Sequence, residues 1–199
     1  MNISDTTQLL HNLTFYALDL FLLVGIFLIL ERSIYYFFTM RHTQKLVNMT
    51  ADTNIDKLPA EELAQDKTAS NALRSFLAAK PNLKTHDDVE NAVETVYVEQ
   101  RGPLNKHLWL LDTIVTAAPL LGLLGTILGI LDTFTVLAAS GISDPAGVSN
   151  GIGTALRATA YGIAIALFAM IFFNRFQERV ERINDNLKIL LLRAAMEHK

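Results

Sequence analysis

The sequence contains no cysteine, which excludes a disulfide-stapled scaffold, thiol catalysis and thiolate metal ligation. Charge is also scarce, since 19% of the 199 residues are Asp, Glu, Lys or Arg against roughly 25% in soluble domains. Hydrophobic residues make up 51%, and the mean hydropathy is +0.29. The deficit is uneven: long stretches are nearly free of charge while others carry most of it, so the chain is suited to two solvents. A formal net charge of −3 gives no electrostatic reason to expect a nucleic-acid partner. Strand-like alternation, repeats and low-complexity runs are absent, and the expected fold class is all-α. Signatures of catalysis are missing too: there is no H-E-x-x-H zinc motif, no G-x-S-x-G nucleophile turn and no phosphate-binding glycine-lysine loop. The five histidines, His11, His42, His86, His107 and His198, are scattered through loops and helix flanks and read as solvated residues rather than ligands. No catalytic residue, metal site or cofactor is expected.

What the sequence does have is three stretches of the roughly 20 mostly apolar residues that cross a bilayer as a helix. The first covers residues 15–38. Its apolar core ends at Leu30, so that Glu31 and Arg32 reach a headgroup region. It lacks the basic flank and small-residue cleavage site of a signal peptide. The second covers residues 109–139 and would be about 46 Å long as a helix, so one end projects beyond the hydrocarbon. The third covers residues 151–173, with one charge at Arg157. Lys and Arg are absent from residues 1–14 and from 140–150, whereas nine fall in 41–107 and six after Phe173. The positive-inside rule then places residues 1–14 and the 140–150 loop outside, and 39–108 and the 174–199 tail in the cytoplasm.

Within the cytoplasmic region, breakers at Pro59, Pro81 and Gly102-Pro103 separate helices. One helix starts at Thr85, with Asp87, Asp88 and Glu90 near its positive end and Val89, Val93, Val96 and Leu104 along its apolar side. In the tail, Phe176, Val180, Ile183, Leu187, Leu190 and Ala194 fall at steps of four and three and make one apolar seam. Such a seam fits packing on the chain's own cytoplasmic helices or against another subunit.

The second and third spans carry narrow faces of small residues, which let helices approach closely in lipid. Ala118, Gly122, Gly125 and Gly129 form one face, with Pro119 a candidate kink. Ala155, Thr159, Gly162 and Ala166 form the other. Thr126 and Thr133 lie on the side of Gly122 and Pro119. Counted from the outer ends of the two spans, Thr126 and Thr159 lie at depths of about 20 and 12 Å, both inside the hydrocarbon. The intramembrane charges Asp19, Asp132 and Arg157 are costly and therefore informative. Asp132 and Arg157 fall at similar depth near the outer side, and Asp19 is also assigned to that side. The expected partner of Arg157 is Asp132, with Asp19 second; snorkelling to the headgroups is the alternative.

The segments APLLGLLGTILGILDTF (residues 118–134) and GIGTALRATAYGIAIAL (residues 151–167) resemble the two signature helices of the ExbB/TolQ/MotA family of ion-driven membrane motors. The three-span layout, outward N-terminus, Glu31-Arg32, large insert and helical tail match the ExbB/TolQ branch, and the likeness covers nearly the whole chain. It implies a multi-pass protein of the bacterial inner membrane with a periplasmic N-terminus and a cytoplasmic C-terminus. It further implies a homopentamer around a dimer of an ExbD/TolR-like protein whose single span carries an ion-binding aspartate. Proton flow would drive rotation and pass work to a TonB- or TolA-like transducer. An ExbB-like role in outer-membrane transport is the reading preferred, with a TolQ-like role in envelope maintenance or a self-sufficient channel as alternatives. The channel is disfavoured because no titratable group is expected at the membrane centre. Thr126 and Thr159, 33 residues apart, match the family's pore-facing threonines, and Thr154 and Thr133 join them as candidate lining. At Thr154 many members have glutamate, and Arg157 stands where the family is usually apolar.

Overall fold

The computed structural model describes residues 3–52, 59–83, 85–140 and 145–196. Six α-helices follow in order: α1 Ile3–Asp52, α2 Ala60–Ala64, α3 Thr68–Ala79, α4 His86–Asn105, α5 Leu108–Ser140 and α6 Pro145–Met196. There is no strand among the described residues. The protein is all-α, and three helices are long and apolar enough to cross a membrane, over Leu9–Ala51, Leu108–Ala138 and Pro145–Met196. Two of them run well past the expected ends of their spans. The reason is local: residues 31–52 and 163–196 contain neither proline nor glycine, so nothing interrupts the backbone ladder. Pro145 opens α6, a position where a missing N–H costs nothing. The expected 140–150 loop is correspondingly shorter, and its residues 141–144 lie outside the described residues.

The chain divides into two compact units, Met1–Leu30 with His107–Asn174, and Glu31–Lys106 with Arg175–Lys199. The divisions fall where the apolar run of the first span ends and one residue beyond Phe173. In the first unit, Leu18, Leu111, Ile114, Ala118, Ala155, Ala158 and Ile165 are buried. Leu20, Leu23, Phe27, Leu120, Ile127, Leu167 and Ile171 remain exposed, an apolar exterior suited to lipid or to other membrane helices.

The second unit has a core of its own. All six residues of the tail seam, from Phe176 to Ala194, are at most 5% exposed, so the seam packs within the chain. They join Tyr36 and Leu46 from α1, Leu73 and Phe76 from α3, and Val93, Val96 and Leu104 from α4. Tyr36 donates its buried hydroxyl to the Leu104 carbonyl at 2.7 Å, and its ring stands 5.4 Å from that of Phe176. Arg193 donates to the Val47 carbonyl at 2.6 Å, tying the end of α6 to α1. At the start of α4, Asp88 N donates to Thr85 Oγ1 at 3.1 Å and Thr85 N to Asp88 Oδ2 at 2.9 Å, a reciprocal cap. Gly102-Pro103 does not break α4, which continues to Asn105. Pro103 sits in the last turn and removes a single backbone bond there. The helix ends instead before His107, whose φ of 67° lies in the left-handed region uncommon for a residue with a Cβ.

Candidate ion-pathway site on two close-packed helices

Glycine positions in α5 and α6 let the two backbones touch. A Cβ placed on Gly122 would lie 2.7 Å from the Ala158 carbonyl oxygen and 3.0 Å from Thr159 Cα. One on Gly162 would lie 2.4 Å from the Ala118 carbonyl oxygen and 3.1 Å from Gly122 Cα. Further along, Gly129 faces Ala155, so residue numbers fall on one helix as they rise on the other and the helices are antiparallel. The contact thus runs through Ala118, Gly122, Gly125 and Gly129 of α5 and Ala155, Ala158, Thr159 and Gly162 of α6. Gly125 and Gly129 also receive α1: their Cβ positions would lie 3.0 Å from Thr14 Oγ1 and 3.0 Å from His11 Cε1 respectively.

This close approach brings Thr126 and Thr159 together, their hydroxyl oxygens 2.5 Å apart. Thr126 Oγ1 also lies 3.0 Å from the Ala155 carbonyl and 3.2 Å from that of Gly122. Thr159 Oγ1 lies 3.1 Å from the same Gly122 carbonyl. Each hydroxyl has one proton to give, so one donates to the other, which in turn donates to a carbonyl. Two carbonyls already engaged in their own helices thus hold the pair in place. Both threonines are half-buried, and their remaining lone pairs can accept from water or coordinate a cation.

The other expected lining residues are disposed differently. Thr133 donates to Gly129 O at 2.8 Å and packs against Gly151, while Thr154 donates to Asn150 O at 3.0 Å. Each bonds to the carbonyl one turn back in its own helix, the usual fate of a membrane threonine. Pro119 sits inside α5, which runs through it without ending. Among the described residues no ion pair joins Arg157 to Asp132 or Asp19. Arg157 is exposed and Asp132 half-buried. Gly129 faces Ala155 and Gly151 faces Thr133, which sets Arg157 and Asp132 on different turns, and the contact face of α6 runs through Ala155, Ala158 and Gly162. Asp19 is engaged elsewhere, accepting from the Tyr161 hydroxyl at 2.8 Å.

Two histidines also differ from the solvated reading. His11 is half-buried; its Nδ1 lies 3.1 Å from the Gly125 carbonyl, which can only accept, so Nδ1 carries the proton. Phe15 lies edge-on at 5.2 Å, one turn along α1, and that apolar i,i+4 neighbour is the signal the sequence holds for it. His42 is 5% exposed, with Nε2 3.5 Å from Glu62 Oε2. Burial, together with Lys67, holds His42 below the usual histidine range despite Glu62. The hydrogen bond from Lys45 in turn holds Glu62 below the usual carboxylate range. His198 lies outside the described residues.

The model of the MotA/TolQ/ExbB proton channel family matches residues 60–189, which include both small-residue faces and the threonine pair. The chain belongs to the MotA/TolQ/ExbB proton channel family. It is 33% identical over 113 residues to a putative biopolymer transport protein ExbB homolog of Methanothermobacter thermautotrophicus, covering 57% of this chain and 40% of that protein. It is 32% identical over 117 residues to the biopolymer transport protein ExbB of Helicobacter pylori, covering 59% and 75%. With that of Aquifex aeolicus it shares 37% over 98 residues, covering 49% and 65%. The family is one of membrane transport, in keeping with the three long apolar helices. For a MotA/TolQ/ExbB member, the Thr126–Thr159 pair is the polar feature built jointly by both glycine-faced helices.

Proposed function

We propose that this chain is an ExbB-like subunit of an inner-membrane motor that uses the proton motive force to energise a TonB-like transducer for outer-membrane transport. The observation that carries the reading is the hydrogen-bonded pair Thr126 and Thr159 on helices from a proton channel family. In this reading five copies surround a dimer of an ExbD-like protein, with the N-terminus periplasmic and residues 39–108 and 174–199 cytoplasmic. The partner's intramembrane aspartate is inexpensive when protonated and costly when charged. It crosses apolar walls neutral and is received, when ionised, at the hydroxyls of successive subunits. The membrane potential supplies about 2.3 kcal/mol per charge per 100 mV. Thr133 and Thr154 extend the same lining toward the outer side.

The test is proton flux in liposomes holding this chain and its single-span partner. Thr126→Ala with Thr159→Ala is expected to leave the complex intact on size exclusion and to abolish flux; full flux from the double variant would refute the reading. A self-sufficient channel has one observation in its favour, the carboxylate of Asp19 inside the first unit. Flux from this chain alone, without the partner, would support that alternative.

A further inference from the structure

The second unit contains a cavity of about 580 Å³ walled by α1, α3 and α4, a volume within the range of about 300–1,000 Å³ that holds small organic ligands. Its rim is apolar. Ile34 and Phe38 of α1 line it and are 60% and 62% exposed. They follow Leu30 by one and two turns, just past the end of the charge-free run of residues 20–30, where an apolar helix passes into a headgroup region.

The rest of the wall is largely polar. The hydroxyl oxygens of Tyr35 and Thr68 stand 3.2 Å apart, and since each hydroxyl has one proton, one of the two keeps a proton to donate elsewhere. Three charged side chains also line the cavity, Glu31, Asp66 and Lys67. Arg32 donates to both oxygens of Glu31, at 2.8 and 2.9 Å, so that carboxylate already has its cation. Asp66 and Lys67 are exposed, and neither is in an ion pair among the described residues. Asn71 Nδ2 donates to Asp66 Oδ1 at 2.8 Å, which fixes the carboxylate and leaves its other oxygen to accept. One negative and one positive group thus stand on consecutive residues beside an apolar rim.

We propose that this cavity binds a zwitterionic aminophospholipid of the phosphatidylethanolamine type. Lys67 and the hydroxyl donor receive the phosphate, Asp66 receives the ammonium, and Ile34 and Phe38 receive the first part of a tail. An anionic lipid fits less well, because it brings no cation and sets its charge against Asp66. The site lies wholly in the second unit, apart from the threonine pair. It does not rest on the motor reading, because lipid occupancy is measured without transport.

The chain has no cysteine, so Pro103→Cys puts a single reporter in the cavity wall. Val98→Cys is the control, 54% exposed on the same helix and outside the lining. Each full chain, purified in detergent, is alkylated with iodoacetamide while dioleoyl phosphatidylethanolamine is added to the micelles. The lipid is expected to slow alkylation severalfold at residue 103 and to leave residue 98 unchanged. Lys67→Ala in the reporter chain removes a charge-assisted hydrogen bond and is expected to raise the lipid concentration for half protection about tenfold. Lys67 is exposed, and unchanged elution on size exclusion shows that this variant is folded. No protection at residue 103, equal slowing at residue 98, equal protection by phosphatidylglycerol with the same tails, or a midpoint unmoved by Lys67→Ala would each overturn the proposal. Water-soluble phosphoethanolamine is expected to give no protection; full protection by it would mark a site for the free headgroup and overturn the lipid assignment.

Discussion

The contact between α5 and α6 is close enough for one methyl group to open it. In Gly162→Ala the new Cβ would stand 2.4 Å from the Ala118 carbonyl oxygen, and ordinary contact begins at 3.4 Å. The helices must therefore part by about 1 Å, since the obstructing atom is backbone and cannot rotate away. Carried to the next turn, that displacement takes the threonine oxygens from 2.5 Å to about 3.5 Å, beyond hydrogen-bond range. Overpacking of this kind costs about 1–3 kcal/mol, and a lost interhelical hydrogen bond in a membrane protein adds about 0.6–1.7 kcal/mol. The expected loss is about 2–4 kcal/mol, read by reversible unfolding in mixed micelles. Because the chain has no cysteine, the geometry can be read directly with Thr126→Cys and Thr159→Cys, a pair expected to form a disulfide on mild oxidation. Adding Gly162→Ala should sharply lower the yield. Gly153→Ala is the control in the same helix, since a Cβ there meets nothing within 4 Å and alanine gains up to about 1 kcal/mol of helix propensity. Unchanged cross-linking and stability in Gly162→Ala would refute the backbone contact.

The tail seam gives a second prediction: Leu187→Ala, at a fully buried position, should cost about 2–5 kcal/mol, while Ile189→Ala, 41% exposed, should change stability by about 0.5 kcal/mol or less. A larger loss at Ile189 than at Leu187 in the purified chain would contradict the packing of α6 in the second unit. A third concerns His42, held below the usual histidine range by burial. Its folded form binds fewer protons than the unfolded chain, so its stabilisation is complete above about pH 6.5 and is lost as pH falls further. Glu62, also held low, adds a loss of the same sign at more acid pH. Melting temperatures taken from about pH 7.5 to 5 should fall less steeply in His42→Leu than in the wild type; equal slopes would remove His42 from the account.

Relative depth is only partly legible in the sequence. Counting from the span ends separates Thr126 and Thr159 by about 8 Å, yet their hydroxyls meet, because the register of α5 on α6 is set by the glycine contacts and not by where the apolar runs end. Small residues make the contacting faces legible as well, because glycine at Gly122 and Gly162 has no other use in the middle of a helix that lipid would rather see filled with leucine. Rotation about the helix axis is harder to read. Asp132 and Arg157 are counted to a similar depth, but the contacts of Gly129 with Ala155 and of Gly151 with Thr133 set them on different turns; each residue also advances about 100° around the helix, and the contact face of α6 is fixed by Ala155, Ala158 and Gly162. Arg157 lies off that face, which no count of residues from a span's end reveals. The tail poses the converse difficulty: its seam is plain in the sequence, but the surface that covers it is assembled from α1, α3 and α4, which are distant along the chain.

Starting the first span at Phe15 puts Asp19 near the outer boundary, but His11 and Thr14 pack against Gly129 and Gly125, so the helix is already in contact with its neighbours a turn earlier. On the same helix Asp19 accepts from the Tyr161 hydroxyl at 2.8 Å, which sets it beside that turn of α6. Resemblance to the family directs attention to Thr154, where a glutamate is common; Thr154 here bonds back to Asn150 O and brings no titratable group. A carboxylate nevertheless meets α6 from α1, where Asp19 accepts from the Tyr161 hydroxyl. Motifs read along one helix cannot find that contact, because it joins side chains of two helices far apart in the chain.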